Sequence, residues 1–212
     1  MNGNAVNIIV VGYKVPKIEH ACVGSIIKNT NYPYLLTFFD NYGSGLSLTE
    51  VWNFLIDKSP LKYVCLLNSD TIVYPGWLKK LIDPLGSDKK IAFVGPSTNN
   101  CHSPQKRIAT YEEATKYEGK IEIMKDPISG FCLVFRKALW TELGGFNPKY
   151  KLYGQESDFI DRAQRLGYKV AWRKDAFVYH KGEASVNAHK YDADKERKIA
   201  RKLYWADRGK KI

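Results

Sequence analysis

Short apolar runs alternate with segments of helical apolar spacing through the first two-thirds of the chain, and no other feature restricts the fold as much. Such alternation is the signature of βα units laid into a largely parallel sheet with flanking helices. Ile8–Val11 reads as the first strand. Pro16 then stands where a first helical turn tolerates proline, and Ile18, Cys22 and Ile26 share one helical face. Leu35–Phe39 reads as the second strand, ending at Asp40 in a DNYGSG turn. Ser47 and Glu50 have capping-box spacing ahead of the stripe Leu48, Val51, Trp52 and Leu55. Tyr63–Leu67 reads as the third strand, ending at Asn68-Ser69-Asp70; Pro75 opens a further helix, and Ile91–Val94 is the fourth strand.

The second half is less regular. Residues 95–110 are polar and rich in turn formers, which predicts a long surface loop with solvated His102 and Gln105. Phe131–Phe135 reads as a strand, followed by a short helix to Leu143 and a stop at Gly144-Gly145. Gln155–Leu166 reads as a helix ended by Gly167, and Val170–Trp172 and Phe177–His180 as two more strands. Asp192 to Ala206 is a basic helix with Ile199, Leu203 and Tyr204 on its buried side. Trp52, Trp77 and Trp140 fall on apolar helical faces and are expected in the core.

With 212 residues, 44% apolar and 26% charged, the chain suits one α/β domain with a real core. Three parts are expected within it, about 1–95, about 96–185 and a basic C-terminal helix over 186–212. This composition excludes disordered, collagen-like and disulfide-scaffold classes. Cys22, Cys65, Cys101 and Cys132 form no Cys-x-x-Cys pair, and Cys65 and Cys132 sit in apolar runs as small buried hydrophobes. The early apolar run Ile8–Val11 is far shorter than the roughly 20 residues that span a bilayer, and no signal-peptide pattern is present. A soluble, cytoplasmic setting is the expectation.

The formal charge of +11 asks for anionic partners, and from Lys181 onward ten Lys/Arg face five Asp/Glu. A basic helix is most often a solvated face; contact with phosphate or with an anionic membrane surface is the alternative reading of that segment.

In open α/β sheets ligands bind beyond the carboxyl ends of the strands. Asp40 and Asn68-Ser69-Asp70 both fall there, and neighbouring strands two and three would bring them to one crevice. No Gly-x-Gly-x-x-Gly follows the first strand and no Gly-x-x-x-x-Gly-Lys-Ser/Thr loop occurs. A diphosphate then needs another neutralising device, which a divalent cation held by carboxylate and amide oxygens supplies. Each aspartate, taken alone, can equally cap the turn or helix that follows its strand.

Four blocks, in order, resemble the GT-A glycosyltransferases of family 2, especially its rhamnosyltransferase-like members. YVCLLNSDTIVYPGWL resembles the region of the Asp-x-Asp motif, and FFDNYGSG the Asp-Asn-x-Ser-x-Asp turn beneath the nucleobase. SGFCLVFRKALWTELGGFNPKYKLYGQESDF resembles the acceptor-side block, and VYHKGEAS the segment carrying a histidine metal ligand. The resemblance covers roughly residues 6–185 and implies that about 1–95 form a nucleotide-binding half and about 96–185 an acceptor-side half. It implies a GT-A α/β fold with a mixed, mostly parallel central sheet flanked by helices. It implies sugar transfer from a UDP- or dTDP-sugar to a hydroxyl of a glycan or glycoconjugate, and no nucleic-acid partner.

Carried onto this chain, the resemblance puts Asp40 and Asn53 near the nucleotide, with Asn68 and Ser69 also on the donor. It makes Asp70 and His180 metal ligands, and a histidine among oxygen ligands favours Mn²⁺ over Mg²⁺. Gly130 matches the glycine that lets the backbone approach the donor sugar. The family's Glu-Asp-x-Asp is here Gln155-Glu156-Ser157-Asp158, so Glu156 stands at the general-base position with Asp158 as second candidate. That substitution leaves inversion and retention both open. Two other functions compete: a sugar-nucleotide pyrophosphorylase, which lacks its glycine-rich basic signature here, and a basic nucleic-acid-binding module, which leaves the acidic residues unexplained.

Overall fold

The computed structural model describes residues 4–182, 184 and 192–209. Residues 186–191 and 210–212 of the C-terminal region, and Glu183 and Ser185 of the VYHKGEAS block, lie outside the described residues. The strands are β1 (Val6–Gly12), β2 (Tyr34–Asp40), β3 (Tyr63–Asn68), β4 (Thr71–Val73), β5 (Ile91–Ser97), β6 (Ile121–Met124), β7 (Cys132–Arg136) and β8 (Lys169–His180). The helices are α1 (Pro16–Asn29), α2 (Leu48–Lys58), α3 (Trp77–Ser87), α4 (Tyr111–Thr115), α5 (Lys137–Glu142), α6 (Gln155–Arg165) and α7 (Ala193–Ala206).

The sheet runs β2-β1-β3-β7-β5-β8-β4, with β6 also on β8. β1 lies parallel to both β2 and β3, while β7 is antiparallel to β3 and β5. The fold is therefore a mixed α/β sheet. The period-2 alternation of strand side chains assigns each helix to a layer. Ile8, Val10, Cys65, Leu67, Cys132 and Val134 pack with Cys22 and Ile26 of α1 and with Trp77, Leu78 and Leu81 of α3. Ile9, Val64, Leu66, Leu133 and Phe135 point the other way, onto Val51, Trp52 and Leu55 of α2, Leu139 of α5 and Phe159 of α6. Because both faces are covered, these strands read as continuous apolar runs.

Several sequence expectations change. β2 and β3 are not neighbours: β1 lies between them, so two strand spacings separate their ends. The two last strands are one, β8, whose pairing with β5 slips where Arg173 opposes Pro96 and Phe177 opposes Ser97. The extra residues hold buried Asp175, which ion-pairs with Arg173 and accepts the Gly119 N–H, so a polar interruption in the sequence is an internal bulge. The stretch 95–110 is not an open loop. β5 continues to Ser97, and Gln105 is fully buried, donating from Nε2 to the Pro96 carbonyl (2.7 Å) and accepting the Ser129 N–H (2.8 Å). Ile199 is 43% exposed instead of buried, and α7 has no buried residue: Ala200, Leu203 and Tyr204 are half-buried. No helix among the described residues is long and apolar enough to cross a membrane.

Candidate active site

The parallel strands β1, β2 and β3 end on one edge, with Gly12 opposite Asp40 and Val11 opposite Asn68. At about 4.8 Å per strand spacing, Asp40 and Asn68 stand roughly 10 Å apart across the end of β1. That end must be slim: a Cβ on Gly12 would lie 2.7 Å from the Phe38 ring and 2.9 Å from Glu19 Cδ. Glu19 Oε1 accepts the N–H groups of Tyr13 (2.7 Å) and Val15 (3.2 Å) and so shapes the turn after β1, where Lys14 has φ 58°. Lys14 Nζ sits 4.0 Å above the exposed Tyr42 ring, and Tyr13 meets that ring edge-on. Asp40 is exposed beside them, and its Oδ1 accepts the Tyr42 N–H (3.0 Å). Its remaining lone pairs face solvent-accessible space suited to a donor group on a ligand.

Asp70 lies two residues past β3, buried, and β4 follows directly as an antiparallel neighbour of β8, so that Thr71 pairs with His180. This pairing brings two residues 110 positions apart together: His180 Nε2 is 3.3 Å from Asp70 Oδ1 and 3.5 Å from Asn68 Nδ2. Asp70 Oδ2 accepts the Ala184 N–H (3.3 Å). Burial pushes the Asp70 carboxyl upward, but the His180 ring and these hydrogen bonds outweigh it and hold the group below its ordinary value. On its other side His180 Nδ1 meets the Asn100 carbonyl at 2.9 Å, and Phe131 stacks on the ring at 5.0 Å and 15°. A carbonyl only accepts, so Nδ1 carries a hydrogen; a protonated ring then donates from Nε2 to Asp70, whereas a neutral ring turns its Nε2 lone pair toward that carboxylate. Two lone pairs at that distance repel unless a proton or a metal ion lies between them. That donor set fits a divalent cation, with Nδ1 held as metal-ligating histidines usually are. No group of three or more His, Cys, Asp or Glu side chains placed to hold a metal ion occurs among the described residues, so Asp70 and His180 would be helped by amide, water or ligand oxygens.

Glu156 lies in the first turn of α6, packed on Gly130 just before β7. Burial pushes its carboxyl above the ordinary glutamate value, opposed in part by a backbone N–H. Asp158 is committed elsewhere: it is buried and accepts from Arg162 Nε (2.9 Å), while Arg162 also donates to the carbonyls of Leu143 (2.6 Å) and Gly145 (2.7 Å). That linkage makes Asp158 a tie between α6 and the turn after α5.

Asn53 likewise has partners within the fold. Its Nδ2 donates to the Phe146 carbonyl and its Oδ1 accepts from Phe146 N, both at 2.9 Å, and from Trp140 Nε1 at 3.2 Å. Both polar atoms hold the glycine turn after α5, which gives Asn53 a structural role beside the donor-binding one expected of it. Ser69 is buried next to Asp70, and His102 is exposed as expected. Glu19, in the first turn of α1, and Asn99, Asn100 and Phe131, outside the regular elements, were not singled out by sequence, since a single polar or aromatic residue carries no periodic signal.

Residues 56–200 match the sequence model of the family described as glycosyltransferase like family 2. Among solved structures, the chain is similar to GalNAc-T7 crystallised with UDP, GalNAc and Mn²⁺, with a TM-score of 0.65 and 15% identity. That alignment covers 84% of this chain and 44% of the GalNAc-T7 chain, so this chain spans less than half of its length. At that identity the likeness shows the fold, which is of the GT-A type. No curated protein matches.

Proposed function

Since this chain belongs to glycosyltransferase-like family 2, we propose that it transfers a sugar from a nucleotide-diphosphate donor, UDP- or dTDP-linked, to a hydroxyl of a glycan or glycoconjugate. The observation that carries the reading is the approach of His180 Nε2 to Asp70 Oδ1 at 3.3 Å on the carboxyl edge of the sheet. The structural neighbour's bound Mn²⁺ and UDP support a metal-dependent version of it.

Asp40, with Tyr42 and Lys14 beside it, receives the nucleobase end, and Asn68 with Ser69 the ribose and diphosphate side. The roughly 10 Å between Asp40 and Asn68 suits a nucleoside laid across the end of β1. Asp70 and His180 would hold the divalent cation, Mn²⁺ by ligand type, with Asn68 nearby. Bound there, such an ion supplies positive charge against the departing diphosphate. Glu156, as a carboxylate, takes the proton of the acceptor hydroxyl. The hydroxyl oxygen forms the bond to the anomeric carbon as the bond from that carbon to the diphosphate oxygen breaks, and the electron pair leaves with the nucleoside diphosphate. The raised Glu156 carboxyl suits this role, since a stronger base accepts the proton more readily.

Calorimetric titration of UDP and a panel of nucleotide sugars, with and without Mn²⁺, tests the reading on wild type and Asp70→Ala. Metal-dependent binding lost in the variant is expected. No nucleotide binding by folded wild-type protein with Mn²⁺ present would overturn it, and salt-sensitive binding to nucleic acid instead would point to the basic surface.

A further inference from the structure

We propose that Asn99 and Asn100 are positioning residues for His180, fixing its backbone and selecting the ring tautomer that presents Nε2 to Asp70. The need arises from topology. β5 gives its last pairing to β8 at Ser97 opposite Phe177, so His180 lies beyond the reach of β5. The Asn99 side chain takes the place of the missing strand: Nδ2 donates to the His180 carbonyl (3.1 Å) and Oδ1 accepts the His180 N–H (2.8 Å). One primary amide thereby supplies the donor and acceptor that a neighbouring backbone would have offered.

Asn100 acts on the ring. Its carbonyl accepts from His180 Nδ1 at 2.9 Å, and its own Nδ2 donates to the Lys181 carbonyl at 3.1 Å, tying the loop to the segment it serves. Gly182, at φ 82°, leaves the space that Asn100 Nδ2 occupies; a side chain there would collide with it. The loop is anchored from behind. Thr98, fully buried, donates its N–H to the Gln105 carbonyl (3.2 Å), and the buried Gln105 amide bonds to Pro96 and Ser129. Phe131 fixes the ring plane from the remaining side. His180 is therefore held at its main chain, at Nδ1 and across its face, with Nε2 facing Asp70 and Asn68. The purpose assigned to this clamp rests on the metal-binding reading of Asp70 and His180, whereas its geometry does not.

Long-range ¹H–¹⁵N spectra of histidine-labelled, metal-free protein, taken where the ring is neutral, read the tautomer directly. Wild type is expected to show His180 as the Nδ1–H form. Asn99→Ala and Asn100→Ala are expected to admit the Nε2–H form and to weaken Mn²⁺ binding, measured with UDP present, by about 10- to 100-fold. Asn99→Asp keeps the acceptor for the His180 N–H and loses the donor, so it reports on the clamp if the alanine variant does not fold. Folded variants that keep the Nδ1–H form and bind Mn²⁺ within twofold of wild type would overturn the proposal. If wild type bound no Mn²⁺ with UDP, the proposed function would fall, and the metal-free tautomer would still decide the role of Asn99 and Asn100.

Discussion

Glu156 fills the space that a side chain at Gly130 would need: a Cβ on Gly130 would lie 2.6 Å from Glu156 Cγ and 2.9 Å from Cδ. The glycine preceding β7 and the first turn of α6 are thus fitted to each other, and the position of the carboxylate depends on the absence of a methyl group. Gly130 has no left-handed backbone to explain its identity, and its close packing on Glu156 stands beside the proposed approach to the donor sugar as a reason for it.

Gly130→Ala should therefore displace Glu156 without abolishing the fold. Overpacking of this kind costs about 1–3 kcal/mol. With chemistry dependent on a carboxylate placed to within a fraction of an ångström, kcat should fall more than about tenfold while the donor KM changes little. Steady-state kinetics beside a melting curve separate the two effects. Unchanged kcat would show that Glu156 is not the base.

Glu156→Gln should lower kcat/KM by roughly 10²- to 10⁴-fold, the usual contribution of a general base. Its stability effect has the opposite sign from that of a structural carboxylate. The folded-state value of Glu156 is raised, so the unfolded chain loses this proton first, and ionisation erodes stability as pH rises above the unfolded value. Glutamine removes that penalty, and the variant's Tm at neutral pH should equal or exceed that of wild type. In the wild type, activity should fall on the acid side at a pH above that of an ordinary glutamate. A clear drop in Tm for Glu156→Gln would identify the residue as part of the scaffold instead.

Asn53→Ala should do the reverse. It removes the partner of both the Phe146 N–H and the Phe146 carbonyl, along with an acceptor for Trp140. Unpaired, partly buried backbone groups cost about 1–3 kcal/mol. Tm should fall while the affinity for a nucleotide, measured on the folded fraction, stays within about twofold. A selective loss of nucleotide binding would place Asn53 at the donor as well.

The central layer of the fold was legible in the sequence because strands buried on both faces leave long apolar runs, as Ile8–Val11 and Tyr63–Leu67 do. The capping box of Ser47 and Glu50 was legible for a similar reason: its two reciprocal hydrogen bonds need only local spacing. β4 and β6 were not, since three and four residues are too few to establish a period. The buried state of Gln105 was hidden too, because a polar residue in a polar stretch reads as solvated until its partners Pro96 and Ser129 are known.

For the site, sequence alone determined which residue types stand at the strand ends: Asp40, Asn68 and Asp70 follow apolar runs and had to emerge on the carboxyl edge. Tertiary structure decided which of them meet. The insertion of β1 between β2 and β3 set the separation of Asp40 from Asn68, and the pairing of β4 with the end of β8 delivered His180 to Asp70. It also set Glu156 and Asp158, which share a helical turn, in different surroundings, pairing Asp158 with Arg162 and leaving Glu156 against Gly130. Spacing along a chain fixes local hydrogen bonds and faces, whereas contacts between distant segments depend on strand order and on which side chains compete for each partner, and neither is written in a local pattern.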